Sequence, residues 1–330
     1  MSKRPVLTVI VAASDSWPAV ARTVASLRNQ DAIDRAEIIV AAAGDQIAPP
    51  ESVEGVHWIA AAAGSGVPRL RRLGLDQARG SIAVFTEDSC RFDPNWMACW
   101  IRAFEDQAVT GASGPVEPAM GTAAVDWAVF FTEYASFLPR QTGQAGPPDR
   151  LAGNNFAVRL TGTSIDLAAL ARAEIQENEV HRELRQRGAT VVEVREAIAR
   201  HVRRYSWREA FGDRLRFGIE FGRLRAGWHS RLVNSAALVA APAILSVQFA
   251  RLAAAVVSRR RHRRFFLLSL PVTLGLLTAW SVGEALGWTW GPRRSRRSVD
   301  NGCDRADRTP APATDHNRPP RDYRAERERV

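Results

Sequence analysis

An unbroken apolar run near the start of the chain, Val6 to Ala13 (VLTVIVAA), leaves few architectures open. It is rich in β-branched residues and does not alternate with polar ones. A strand of that kind must be covered on both faces, which is the condition of a parallel sheet flanked by helices. Ser14-Asp15-Ser16 then gives a helix-start signal, and Val20, Val24 and Leu27 recur at helical spacing through about Asn29. Glu37 to Ala42 reads as a second strand and His57 to Ala60 as a third. Arg69 to Ala78 reads as a helix stopped by Gly80, and Ser81 to Phe85 as the next strand. Strand and helix alternate, so the expected class is α/β with a doubly wound sheet.

That strand ends in Thr86-Glu87-Asp88-Ser89-Cys90, followed by Pro94-Asn95-Trp96. Ligands of open α/β sheets bind at the carboxyl ends of strands. Carboxylates there can hold a hard divalent cation against a diphosphate. Taken alone, Glu-Asp-Ser is also ordinary turn composition. Beyond Pro94 the expected elements are a helix from Trp96 to Gln107 and an extended segment from Gly111 to Pro118. An aromatic helix over Asp126–Phe137 and a loop over Gln141–Pro148 follow. Then come a strand over Leu151–Arg159, helices over Ser164–Ala171 and Glu177–Gly188, and a short strand over Val191–Val194.

Charge is unevenly placed. Lys and Arg exceed Asp and Glu by 45 to 35, and Arg crowds the stretch from Arg200 to Arg264, where only Glu209, Asp213 and Glu220 oppose it. Such asymmetry points to an anionic surface, either lipid head groups or nucleic acid. No nucleic-acid-binding module is recognisable, and the Arg clusters flank apolar stretches, which fits lipid better. Ser206 to Trp228 is basic and amphipathic, with Trp207, Phe211 and Leu215 at four-residue spacing. Such a helix lies in a membrane interface or covers the preceding domain with its Arg stems. Leu232–Val257 and Phe265–Trp290 are each long enough for a membrane helix. The Arg259–Arg264 cluster between them is matched by basic residues before the first and after the second. Two full spans would put that middle cluster on the far side, whereas two helices in one leaflet would keep all the clusters on the cytoplasmic side. Both arrangements stay open. Gly291 to Val330 is too poor in large apolar residues to order itself.

Cys90, Cys99 and Cys303 show neither metal-ligand spacing nor a disulfide framework, as expected in a reducing compartment. The first apolar run lacks the length and cleavage site of a signal peptide. The N-terminal part is therefore expected in the cytoplasm, at a cell membrane.

In their order along the chain, five segments together resemble the family 2 glycosyltransferases. Val6–Ala13 with Asp15 is similar to that family's first strand and its polar tip. Arg71-Arg72-Leu73-Gly74 through Ala78-Arg79-Gly80 resembles its R-N-x-G…A-x-G helix. Thr86-Glu87-Asp88-Ser89-Cys90 with Pro94 and Trp96 resembles its D-x-D segment and downstream P-x-W. Gly153-Asn154-Asn155-Phe156-Ala157-Val158-Arg159 resembles the G-x-N-x-A-x-R segment. Gln176-Glu177-Asn178-Glu179-Val180, with Gly188 beyond, resembles the E-D-x-D-L…R-x-x-G helix. The likeness covers about residues 5–205.

The resemblance implies a GT-A-type doubly wound mixed sheet over residues 1–205. A basic amphipathic helix (206–230), two hydrophobic membrane helices (231–290) and a disordered tail (291–330) complete the expected plan. It implies inverting transfer from a nucleotide-diphosphate sugar to a hydroxyl of a lipid, lipid-linked or polysaccharide acceptor. Glu177 takes the place of the base, with Glu179 as competitor. Donor contacts fall on Asp15, Asp45, Arg71, Arg72, Glu87 and Asp88, with Glu87 and Asp88 holding Mg²⁺ or Mn²⁺. The acceptor side falls on Gly153, Asn154 and Asn155. Trp127, next to Asp126 on the aromatic helix, adds a further acceptor candidate. The chain departs from the pattern at Ala42 and Ala43, where paired Asp is usual, at Ser89 and at Arg72. Glu177 stands in place of Asp. Those departures motivate the alternative of a catalytically degenerate, membrane-docked nucleotide-sugar-binding protein.

Overall fold

A computed structural model describes residues 4–44, 47, 53–119, 121, 123–141, 146–162, 174–226 and 241–290. Asp45, the expected helix at Ser164–Ala171 and the tail from Gly291 lie outside the described residues. Strands β1 (Leu7–Ala13), β2 (Ala36–Ala43), β3 (Val56–Ala61) and β4 (Ile82–Glu87) are joined by helices α1 (Trp17–Arg28) and α2 (Val67–Asp76). Next come β5 (Cys90–Phe92), α3 (Trp96–Ala103), β6 (Val109–Ser113), β7 (Val116–Pro118) and α4 (Ala124–Tyr134). Then follow β8 (Asn155–Arg159), α5 (Glu177–Gln186), β9 (Thr190–Glu193) and β10 (Ala199–His201). Helices α6 (Trp207–Ala226), α7 (Ala241–Arg259) and α8 (Arg263–Trp290) close the described chain.

The main sheet has the order β3-β2-β1-β4-β8-β6-β9. Its first four strands are parallel, and β8 runs antiparallel to both β4 and β6. This is the doubly wound α/β sheet expected from the alternating pattern, with the mixed strand directions that the resemblance implies. Strand β1 shows why its run had to be continuously apolar. Val9 and Val11 pack with Val20, Val24 and Leu27 of α1 and with Trp96 and Trp100 of α3. Ile10 and Ala12 face the other way, where Leu70 of α2 and Val180 and Leu184 of α5 lie. Side chains alternate across a strand, so a strand buried on both faces has no polar side. Helix α2 comes down onto Ile10 at Gly74, where any Cβ would collide with the isoleucine side chain.

Several expected segments change extent. The strand before the acidic motif continues through Glu87, and the helix at Trp96 stops at Ala103. The segment from Gly111 to Pro118 divides between two sheets. Its first half is β6; its second, β7, joins a separate three-stranded sheet of order β5-β10-β7. That small sheet is too short to show a period in sequence.

The C-terminal helices pack on the aromatic helix α4. Trp127 stacks on Phe265 with ring centroids 4.1 Å apart and planes 2° from parallel, and Phe131 meets Phe266 edge-on. Among the described residues, α8 is the one helix long and apolar enough to cross a membrane by length and composition. Helices α6 and α8 run parallel. Gly218 and Gly222 of α6 lie directly against Gly283 and Gly287 of α8, where a Cβ on any of the four would strike the facing backbone.

Candidate active site

The carboxyl end of β4 carries two acids that turn to opposite sides. Glu87 is its last residue and Asp88 the next. Asp88 is buried, and its Oδ2 accepts the backbone N–H groups of Ser14 (2.7 Å) and Asp15 (2.8 Å) at the tip of β1. Thr23 of α1 donates to the carbonyl oxygens of Asp88 (3.0 Å) and Cys90 (2.7 Å), fixing the turn from beneath. Burial holds the Asp88 carboxyl above its ordinary range, against the opposing pull of those two amides.

Glu87 meets a buried guanidinium. Arg71 of α2 donates from Nη2 to Glu87 Oε1 (3.1 Å) and to the carbonyl of Gly153 (2.8 Å). From Nη1 it donates to Glu177 Oε2 (2.9 Å) and to the carbonyl of Ile175 (3.2 Å). Its plane also lies over Phe156. One arginine therefore draws together the end of β4, the approach to β8 and the first turn of α5. Burial pushes Glu87 up to about 7, more than the shared Arg71 charge lowers it, and the neighbouring carboxylates of Asp88 and Glu177 add to the rise. Glu177 stays partly open to solvent, with a side-chain exposure of 29%. Its Oε2 is the oxygen that takes the Arg71 hydrogen bond.

Two cavities carry charged side chains on their walls. One of about 620 Å³ is lined by Asp15, Asp88 and Ser89 and by four arginines, Arg22, Arg91, Arg203 and Arg204. The other, of about 800 Å³, lies among α4, α6, α7 and α8. Phe131, Leu252, Leu277 and Trp280 give it apolar walls, and Glu133, Arg150, Arg214 and Arg251 carry charge into it. Glu133 and Arg214 pair there at 2.8 Å.

No protein-family model matches the chain, and no curated protein matches it either. Solved structures do. The mannosyltransferase PcManGT from Pyrobaculum calidifontis, in complex with GDP-Man and Mn²⁺, superposes with a TM-score of 0.50 at 16% identity. That match covers 88% of this chain and 88% of the other. GalNAc-T7 with UDP, GalNAc and Mn²⁺ superposes with a TM-score of 0.45 at 16% identity, over 62% of this chain and 45% of that one. The chain has the GT-A-type fold.

Within the GT-A fold, the residues singled out from sequence are not all in one place. Arg71, Glu87, Gly153 and Glu177 converge. Asp15 and Asp88 share the smaller cavity. Arg71 has both terminal nitrogens engaged by carboxylates and carbonyls, and so braces the acids. Arg72 binds Asp76 one turn along its own helix, at 2.8 Å and 2.9 Å. Glu179 is exposed: two residues along a helix turn a side chain most of the way to the opposite face. Asn155 is a buried bracket that accepts from Trp96 Nε1 and donates to the carbonyls of Pro115 and Ala197. Asn154 is buried beside it, its carbonyl accepting from Thr86. Trp127, expected on the acceptor side, lies in the aromatic packing of α4 on α8, with its Nε1 donating to the Gly121 carbonyl.

Glu87 and Asp88, the two acids expected to hold a divalent ion, face different surroundings. Among the described residues, no three His, Cys, Asp or Glu side chains gather as a metal cage. Glu87 faces Arg71 and does not line the smaller cavity, whereas Asp15 does. Asp88 with Asp15 offers two carboxylates on a cavity rich in Arg, which fits a Mg²⁺ or Mn²⁺ ion that completes its shell with water and diphosphate oxygens. The arginines of that cavity escaped the sequence reading. Arg203 and Arg204 counted there only toward regional charge, and Arg22 and Arg91 showed no pattern of their own.

Proposed function

We propose that this chain is a membrane-associated, inverting glycosyltransferase. It would move a sugar from a nucleotide-diphosphate donor to a hydroxyl of a lipid, lipid-linked or polysaccharide acceptor on the cytoplasmic side. The observation that carries the reading is the Arg71 bridge, which sets Glu177 beside the acidic end of β4 although the two lie far apart in sequence. The solved mannosyltransferase of the same fold, which holds GDP-Man and Mn²⁺, supports a nucleotide-sugar donor and a divalent ion.

In this reading the diphosphate occupies the smaller cavity. Arg22, Arg91, Arg203 and Arg204 supply donors matched to phosphate oxygens. Asp15 and Asp88 would hold the divalent ion, whose contribution when bound is to neutralise charge on the leaving diphosphate. Glu177, kept in one orientation by Arg71, takes the proton from the acceptor hydroxyl as the oxygen attacks the anomeric carbon. Attack opposite the leaving group inverts that carbon. The larger cavity receives the acceptor, its apolar walls suiting a lipid portion.

A donor screen that reads nucleoside-diphosphate release with and without Mn²⁺ tests the proposal. Glu177→Gln is expected to lower transfer at least a hundredfold while donor binding persists, and Asp88→Asn to weaken donor binding itself. The anomeric configuration of the product, read by NMR, decides inversion. Absence of binding by every nucleotide sugar would leave only the degenerate binding protein's membrane docking and overturn the enzyme reading.

A further inference from the structure

Helix α8 has the length and composition of a membrane span, at about 42 Å for its 28 residues. Its surroundings do not. Along its first half it lies on the catalytic domain: Phe265 and Phe266 pack on Trp127 and Phe131, and Leu276 is buried with Val125, Ala128 and Val129. Along its second half it lies on α6, backbone to backbone, at Gly283 and Gly287. That neighbour carries Asp213, Arg214, Arg216, Glu220 and Arg223 beside the same stretch, and Arg223 reaches over the ring of Trp290 at the far end of α8. A span needs about 20 residues surrounded by lipid or apolar protein. No such window exists on α8, because hydrocarbon around either half would also have to take in the catalytic domain or the charges of α6.

The turn between α7 and α8 gives the same answer. Arg261 pairs with Glu117 of β7, Arg259 donates to the carbonyl of Ser136, and Gln141 donates to the carbonyl of Ser258. The basic cluster of residues 259–264 therefore sits on the catalytic domain, not across a bilayer from it. Yet the exposed side of α8 is apolar from Leu267 and Leu268 through Leu274 and Val282 to Trp290. Among the described residues, every large apolar side chain left exposed belongs to α6, α7 or α8. Arg216 of α6, Arg260 in the turn after α7 and Arg264 of α8 are exposed beside it.

We propose that α8 does not cross the membrane: α6, α7 and α8 form a layer that lies in the plane of one leaflet. Its apolar stripe sinks below the head groups, and its arginines engage anionic phospholipid. This rests on the membrane-associated reading above and decides its topology. It also requires the chain to leave α8 on the catalytic side.

Cys303 is the natural reporter, since Cys90 and Cys99 are buried. In inside-out vesicles from expressing cells, with donor hydrolysis confirming that the catalytic domain faces out, an impermeant maleimide is expected to label Cys303 without detergent. Protection of Cys303 until detergent opens the vesicles overturns the proposal and leaves membrane association standing. In flotation, the purified chain is expected to bind phosphatidylglycerol vesicles at least tenfold better than phosphatidylcholine vesicles. Leu267→Asp with Leu268→Asp, both on the exposed stripe, is expected to cut that binding at least tenfold with donor hydrolysis unchanged. Equal binding to both lipids, or none with self-association through the stripe, overturns the lipid partner. Loss of hydrolysis in the unmodified chain would instead count against the enzyme reading.

Discussion

Arg71 is 2% exposed and faces two carboxylates, so its removal strands both. Breaking a buried ion pair from one side costs about 3–5 kcal/mol, because the remaining charge loses its partner. Arg71→Met is therefore expected to lower the midpoint of denaturant unfolding by that order, and adding Glu87→Gln and Glu177→Gln to restore part of it. Unchanged stability would show that the bridge is decorative. His201 offers a test by pH. It is buried among Phe130, Tyr134 and Tyr205, and desolvation lowers it from 6.5 to about 3. The folded state thus binds fewer protons than the unfolded one between those values. Stability present above pH 6.5 is lost as the pH falls toward 3, with a slope of up to ~1.4 kcal/mol per pH unit. His201→Phe keeps the stacking and should flatten that acid limb; identical profiles for variant and parent would refute the assignment. At this scale the acids at Glu87, Asp88 and Glu177 were legible, because motif order carries them. Their partners were not. Arg71 lies 106 positions from Glu177, and nothing in local spacing chooses a carboxylate partner over a phosphate for it. The contrast of Glu177 with exposed Glu179 followed only once the rotation of α5 was fixed.

Elements were read most securely where burial on both faces imposed a long apolar run, as in β1, β2 and β4. They were read worst where three residues suffice, as in β5 and β10, whose pairing with each other joins positions more than a hundred apart. The pairing of α6 with α8 is another long-range fact. Gly218 and Gly222 sit four apart, as do Gly283 and Gly287, but the spacing on one helix does not name the other helix as partner. Once paired, the contact tolerates no side chain at Gly283, where a Cβ would run into the carbonyl of Leu215. Gly283→Val should therefore force the helices apart, at a cost of about 1–3 kcal/mol or more. A drop in the Tm of the detergent-solubilised chain would show it. The same substitution at Gly212, which has open space around its Cβ position, serves as the control. Equal effects at the two sites would mean that helix propensity, not close packing, sets the loss.

At the scale of the whole molecule, helix α4 of the α/β domain and the three C-terminal helices share one feature that neither builds alone, the cavity of about 800 Å³. Phe131, Thr132 and Glu133 come from α4, Ala135 and Ser136 from the turn after it, Arg214 and Phe221 from α6, Leu252 and Ala255 from α7, and Leu276, Leu277 and Trp280 from α8. Glu133, on its lining, is one of the carboxylates whose charge adds to the rise of Glu87. The cavity of about 620 Å³ shares none of these residues. Filling the larger cavity should then separate two activities that a damaged active site would lose together. Ala255→Trp is placed on the lining, half-buried, away from Arg71, Glu87 and Glu177. It is expected to lower transfer to a lipid-borne acceptor at least tenfold, while hydrolysis of the donor by water stays within twofold. The comparison is read as kcat/KM for each reaction on one preparation. Parallel loss of both would place the obstruction in the common centre, and loss of neither would move the acceptor out of this cavity.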